Sequence, residues 1–130
     1  MARILLAEDD DSVRAFVKRA LEIDGHAVLA VEDGATALEV VGSDEGGFDL
    51  LVSDIKMPIM DGIALALNVA RDKPDLPILL MTGYADQRER AHGLDQIVRD
   101  VVSKPFTLAE IRRVVGATLA GVPEPTRMAC

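Results

Sequence analysis

The sequence predicts an open, doubly wound α/β sheet, and three observations predict it. Short apolar runs of strand length recur between longer segments of helical period, five times along the chain. Within each run the apolar residues are consecutive rather than alternating, which suits strands buried on both faces of a parallel sheet. A length of 130 residues suits one domain with a single core.

The first run is Ile4-Leu5-Leu6-Ala7, and the second is Ala27-Val28-Leu29-Ala30-Val31. Leu50-Leu51-Val52, Ile78-Leu79-Leu80-Met81 and the short pair Val101-Val102 follow. Between the first two, Val13, Phe16, Val17, Ala20 and Leu21 recur at the spacing of one helix face, and Gly25 closes that helix. Acidic residues ahead of Val13 lie near its N-terminus, where the helix dipole favours negative charge. Ala37, Leu38 and Val41 mark a second helix closed by Gly42 and the Gly46-Gly47 loop. Ile63, Ala66, Leu67 and Ala70 mark a third, which stops before Pro74 and Pro77. The stretch from Asp86 to His92 has helical propensity with almost no apolar stripe, which predicts a thin, exposed fourth helix. Leu108, Ile111, Val115 and Leu119 give a fifth, with Thr107 as its N-cap. Residues 1–120 form the expected domain, and residues 121–130, with Pro123 and Pro125, form an expected disordered tail.

Composition narrows the function classes. The net charge is -8 with no Lys/Arg cluster, so sequence-independent binding of nucleic acid is not expected. No apolar stretch approaches the length of a membrane span, and the acidic run Glu8-Asp9-Asp10-Asp11 cuts off the first apolar run far short of a signal peptide. The single cysteine, Cys130, permits no internal disulfide and suits a cytoplasmic setting.

On a doubly wound sheet the functional crevice lies at the carboxyl ends of the strands. Glu8 and Asp9 follow the first strand, Asp54 the third, Thr82 the fourth and Lys104 the fifth. Three clustered carboxylates raise one another's pKa, and a hard divalent cation such as Mg²⁺ relieves that repulsion. Asp54 can then act as a nucleophile toward phosphorus, with Lys104 and Thr82 neutralising and hydrogen-bonding the transferred group. Asp10 and Asp11 read as solvated loop carboxylates, Asp61-Gly62 as a turn and helix start, and Met57, Pro58 and Met60 as loop packing. His26 and His92 lack any partner pattern.

Four blocks, Leu6-Ala7-Glu8-Asp9-Asp10, Asp54-Ile55-Lys56-Met57-Pro58 with Asp61-Gly62, Met81-Thr82-Gly83 and Lys104-Pro105-Phe106, resemble the signatures of response-regulator receiver domains. The resemblance spans residues 3–119. It implies a flavodoxin-like receiver fold with five helices and strand order 2-1-3-4-5, and a phosphoprotein signalling module rather than an enzyme. It implies Asp54 as phosphoacceptor and Glu8, Asp9, Asp54 and the Lys56 main-chain carbonyl as Mg²⁺ ligands. It also implies Thr82 as switch hydroxyl, Lys104 as phosphate contact, and a cis Lys104–Pro105 bond. Phosphoryl donors would be a histidine kinase or a histidine phosphotransfer protein. One position departs from the pattern: where an aromatic is expected three residues before Lys104 the chain has Val101, so either Tyr84, two residues after Thr82, does part of the switching or the output face moves without an aromatic flip.

Two rivals fail on particular residues. A phosphohydrolase with a nucleophilic aspartate needs a second Asp two positions on, where this chain has Lys56. A nucleotide or flavin binder needs a glycine-rich phosphate loop after the first strand, where this chain has an acidic cluster. The segment after Leu119 is too short for a helix-turn-helix module, so the expected output is a protein contact altered by phosphorylation, on the face formed by residues 86–119. Among stand-alone receivers, residues 11–14 and 83–90 most resemble the CpdR-type cell-cycle regulators. That likeness implies an unphosphorylated adaptor for the ClpXP protease, with ClpX as output partner. The alternatives are a phosphate shuttle or sink in a phosphorelay, or a motility-type switch that binds its target when phosphorylated.

Overall fold

Each apolar run becomes one strand: β1 Arg3–Ala7, β2 Ala27–Val31, β3 Leu50–Asp54, β4 Ile78–Thr82 and β5 Asp100–Ser103. In this computed structural model all pairings are parallel, in the order β2-β1-β3-β4-β5. The structure describes residues 1–43, 47–83, 92–94 and 96–121. Helices α1 Asp11–Ile23, α2 Gly34–Ser43, α3 Gly62–Asp72 and α4 Leu108–Ala120 connect or follow the strands. The helix expected over residues 86–92 and the tail beyond residue 121 fall outside the described residues, apart from a 3₁₀ turn at His92–Leu94.

The consecutive apolar runs are explained by two cores, one on each side of the sheet. Because strand side chains alternate, Ile4, Leu6, Val52, Leu79 and Met81 face α1 and α4. Leu5, Ala7, Leu51, Ile78 and Leu80 face α2 and α3. Edge strand β2 departs from the expectation of two-sided burial: Leu29 is 47% exposed. Having a partner strand on one side only, it cannot be enclosed like β1 or β3.

Local signals set the helix ends. The Asp10 carboxylate accepts from the Ser12 and Val13 amides as the N-cap of α1, so it is a cap and not merely a solvated loop residue. Gly25, at φ 87°, turns the chain out of that helix. Asp61 caps α3 through the Ala64 amide. Thr107 and Glu110 form a reciprocal capping box at α4. Two expected core residues lie toward the surface instead. Leu67 is 51% exposed, because α3 turns Leu65, Ala66 and Val69 inward. Phe16 is 39% exposed, at the edge of the buried face made by Val17, Ala20 and Leu21, with its ring against Phe106.

Candidate phosphoacceptor and metal site

β1 has β2 on one side and β3 on the other, so the chain's connections diverge at the carboxyl ends of β1 and β3. A cleft of about 760 Å³ opens there, lined by Glu8, Asp9, Asp54, Lys56 and Lys104 among others. Glu8 is fully buried directly after β1, and its amide donates to the Val31 carbonyl at 3.1 Å. Asp54 is the last residue of β3 and only 6% exposed. Its Oδ1 accepts from the Ile55 amide at 3.0 Å. Asp9 is exposed at the rim, and one carboxylate oxygen each from Glu8, Asp9 and Asp54 lie within 4.8 Å of one another.

Lys104 reaches into this cluster from the end of β5. Its Nζ donates to Glu8 Oε1 at 2.6 Å and lies 3.2 Å from Asp54 Oδ1. The Lys104 amide donates to the Thr82 carbonyl at 2.7 Å, which ties the lysine to the end of β4. The Lys104–Pro105 bond is cis, as the resemblance implies. Burial pushes the Glu8 carboxyl up to about 7; the hydrogen bond from Lys104 opposes the rise and neighbouring Asp54 adds to it. Burial works against the Lys104 charge, yet its hydrogen bond to Glu8 and the nearby Asp54 carry its pKa above the usual lysine value. Two buried carboxylates thus share a single ammonium, an arrangement with charge to spare for a second cation.

The donor set fits Mg²⁺: hard carboxylate oxygens, two of them buried, converging within reach of one ion in an open cleft. Backbone packing keeps the set in place. A Cβ on Gly62 would overlap the Asp54 carbonyl oxygen, so only glycine lets α3 start this close to the end of β3. The Ser53 hydroxyl donates to that same carbonyl at 2.8 Å.

Of the residues expected at the site, Glu8, Asp9, Asp54, Lys56 and Lys104 share the cleft. Thr82 ends β4 and is 2% exposed. Val101 sits in β5, partly buried against the core on the α2 and α3 side. Tyr84 lies outside the described residues. His26 has a structural partner: its Nδ1 accepts from the Ala2 amide at 3.1 Å. Sequence reasoning missed Arg14, whose guanidinium donates to the Glu8 main-chain carbonyl at 3.0 Å. A bond to a main-chain atom leaves no spacing pattern to find.

Comparison with known proteins agrees with this geometry. The profile of the response regulator receiver domain matches residues 4–116, and the chain belongs to that family. It is 39% identical over 109 residues to the response regulator MprA of Mycobacterium ulcerans, covering 84% of this chain and 46% of that protein. The chain therefore spans about half the length of the curated relatives it matches. Among solved structures, the non-phosphorylated HemR receiver domain from Leptospira biflexa is 30% identical with a TM-score of 0.81, covering 92% of this chain and 95% of that one. The response regulator TrrA from Thermotoga maritima, solved in complex with Mg²⁺-BeF, is 29% identical with a TM-score of 0.80, covering 91% and 99%. Receiver domains are phospho-accepting signalling modules served by histidine kinases or phosphotransfer proteins. No helix among the described residues is long and apolar enough to cross a membrane.

Proposed function

We propose that residues 1–120 form a receiver unit in which Asp54 accepts a phosphoryl group from a phosphohistidine donor, with Mg²⁺. The observation that carries this reading is the convergence of Glu8, Asp9 and Asp54 with the Lys104 ammonium at the carboxyl edge of the sheet. A carboxylate oxygen of Asp54 attacks phosphorus, the P–N bond to the donor imidazole breaks, and the imidazole leaves with the bonding pair and takes up a proton. Lys104 exchanges its contact with the Asp54 carboxylate for one with the arriving phosphoryl oxygens. Thr82, at the end of the neighbouring strand, is assigned the hydrogen bond that reports the phosphorylated state. Glu8, Asp9, Asp54 and the Lys56 carbonyl would hold Mg²⁺, which would supply positive charge to the phosphoryl oxygens.

Incubation with acetyl phosphate followed by intact mass spectrometry tests this. The expected result is one added phosphoryl group that requires Mg²⁺ and is absent in Asp54→Ala. Equal addition in the variant, or none in wild type, counts against it.

The output proposed with this reading is a protein contact. Its narrower form, a CpdR-type adaptor that engages the ClpXP protease when unphosphorylated, is supported by the likeness of residues 11–14 and 83–90 in sequence. On that reading Asp54→Ala binds ClpX constitutively. If wild type and variant both fail to bind, the phosphate shuttle or sink is the better assignment.

A further inference from the structure

We propose that Arg14 is a positioning residue for the Mg²⁺-binding carboxylates, a role that rests on the metal site assigned above. Arg14 lies in the first turns of α1 with its side chain 19% exposed, and it joins three elements. Nη1 donates to the Glu8 carbonyl at 3.0 Å. Nη2 donates to Asp11 Oδ1 at 2.5 Å and lies 3.8 Å from Glu32 Oε1, just beyond β2. The Glu8 amide meanwhile donates to the Val31 carbonyl. Glu8 is therefore gripped through its own amide on one side and its carbonyl on the other, and that carbonyl belongs to the peptide leading into Asp9.

Asp9 needs that grip. No hydrogen bond or ion pair to the Asp9 carboxylate is made among the described residues, so its place near Glu8 and Asp54 is set by the main chain. Releasing the Glu8–Asp9 peptide lets the exposed carboxylate leave the cluster, at a cost in affinity for any ion the three share.

Positioning and simple charge predict opposite signs. Arg14 is a cation beside an acidic cluster, with Nη2 on Asp11 Oδ1 and 3.8 Å from Glu32 Oε1. As a charge alone it repels Mg²⁺, and its removal would tighten binding. As a positioning group it favours binding, and its removal weakens it.

The test is isothermal titration of Mg²⁺ into wild type, Arg14→Ala and Arg14→Lys, with Asp11→Ala as control and thermal unfolding to confirm the fold. The expected result is about 10-fold weaker Mg²⁺ binding in Arg14→Ala, the scale typical of losing a group that orients a metal ligand. Arg14→Lys should recover most of it, since an ammonium can still donate to the Glu8 carbonyl. Asp11→Ala keeps that bond and should change affinity little. Binding in Arg14→Ala as tight as wild type or tighter overturns the proposal, as does a Lys variant no better than Ala. Should Arg14→Ala not fold, Arg14→Met, which keeps most of the stem without the charge or the N–H donors, carries the same comparison. A wild type that binds no Mg²⁺ removes the site assignment and this inference together, whereas failure confined to the Arg14 variants removes this inference alone.

Discussion

Lys104 Nζ donates to Glu8 Oε1 at 2.6 Å across 96 positions of sequence, closing the sheet's carboxyl edge from its first strand to its fifth. The same nitrogen lies 3.2 Å from Asp54 Oδ1. One cation therefore serves two buried carboxylates, of which Glu8 is pushed up to about 7 by its burial.

Replacing that cation should slow chemistry more than it perturbs the fold. Lys104→Met keeps the stem and loses the charge, so the phosphoryl oxygens lose one of their neutralising partners. The expected rate of phosphorylation by acetyl phosphate at saturating Mg²⁺ falls about 10²-fold, the scale of losing one charge-stabilising donor. Stopped reactions analysed by intact mass give the rate, and a variant within a few-fold of wild type would exclude the role.

Glu8 makes stability depend on pH in a direction unusual for a carboxylate. Its pKa is about 7 in the fold against an ordinary value of 4.5, so between those values the folded state holds a proton that the unfolded chain has lost. Stability from this group is complete below the lower value and is lost as pH rises through the upper one. Glu8→Gln cannot titrate and escapes the loss. With divalent cations chelated, its stability relative to wild type should rise by about 2 kcal/mol between about pH 5 and about pH 8 in urea unfolding. A gap that does not change with pH contradicts this.

Gly62→Ala sets a methyl group against the Asp54 carbonyl oxygen. The strand end and the helix start must separate, at a cost of about 1–3 kcal/mol in stability. Because the displaced residue is the phosphoacceptor itself, phosphorylation should slow under conditions where the variant remains folded. Thermal unfolding and phosphorylation rates measured on the same sample check both. Normal stability with normal rates would mean the packing at Gly62 is looser than the structure shows.

The strands were legible because two-sided burial leaves consecutive apolar residues, as at Ile4 to Ala7 and Ile78 to Met81. That pattern does not distinguish a central strand from an edge one, which is why the exposure of Leu29 in β2 could not be read from it. Helix stripes were legible to within a residue: Phe16 and Leu67 carry the right spacing but flank the buried line rather than lie on it. Glu8, Asp9, Asp54 and Lys104 were legible from residue type at strand ends. The difference between buried Glu8 and exposed Asp9 was not, since both follow the same strand. Arg14 was invisible because it acts on a carbonyl that every residue has.

The most direct test of the central claim is to reduce acetyl phosphate-treated protein with borohydride and sequence its peptides by mass spectrometry. Reduction converts an aspartyl phosphate, but not a free carboxylate, to homoserine. The account predicts Mg²⁺-dependent homoserine at position 54 and at no other aspartate. Homoserine at Asp9, or no conversion anywhere in protein that has gained a phosphoryl group, would contradict it.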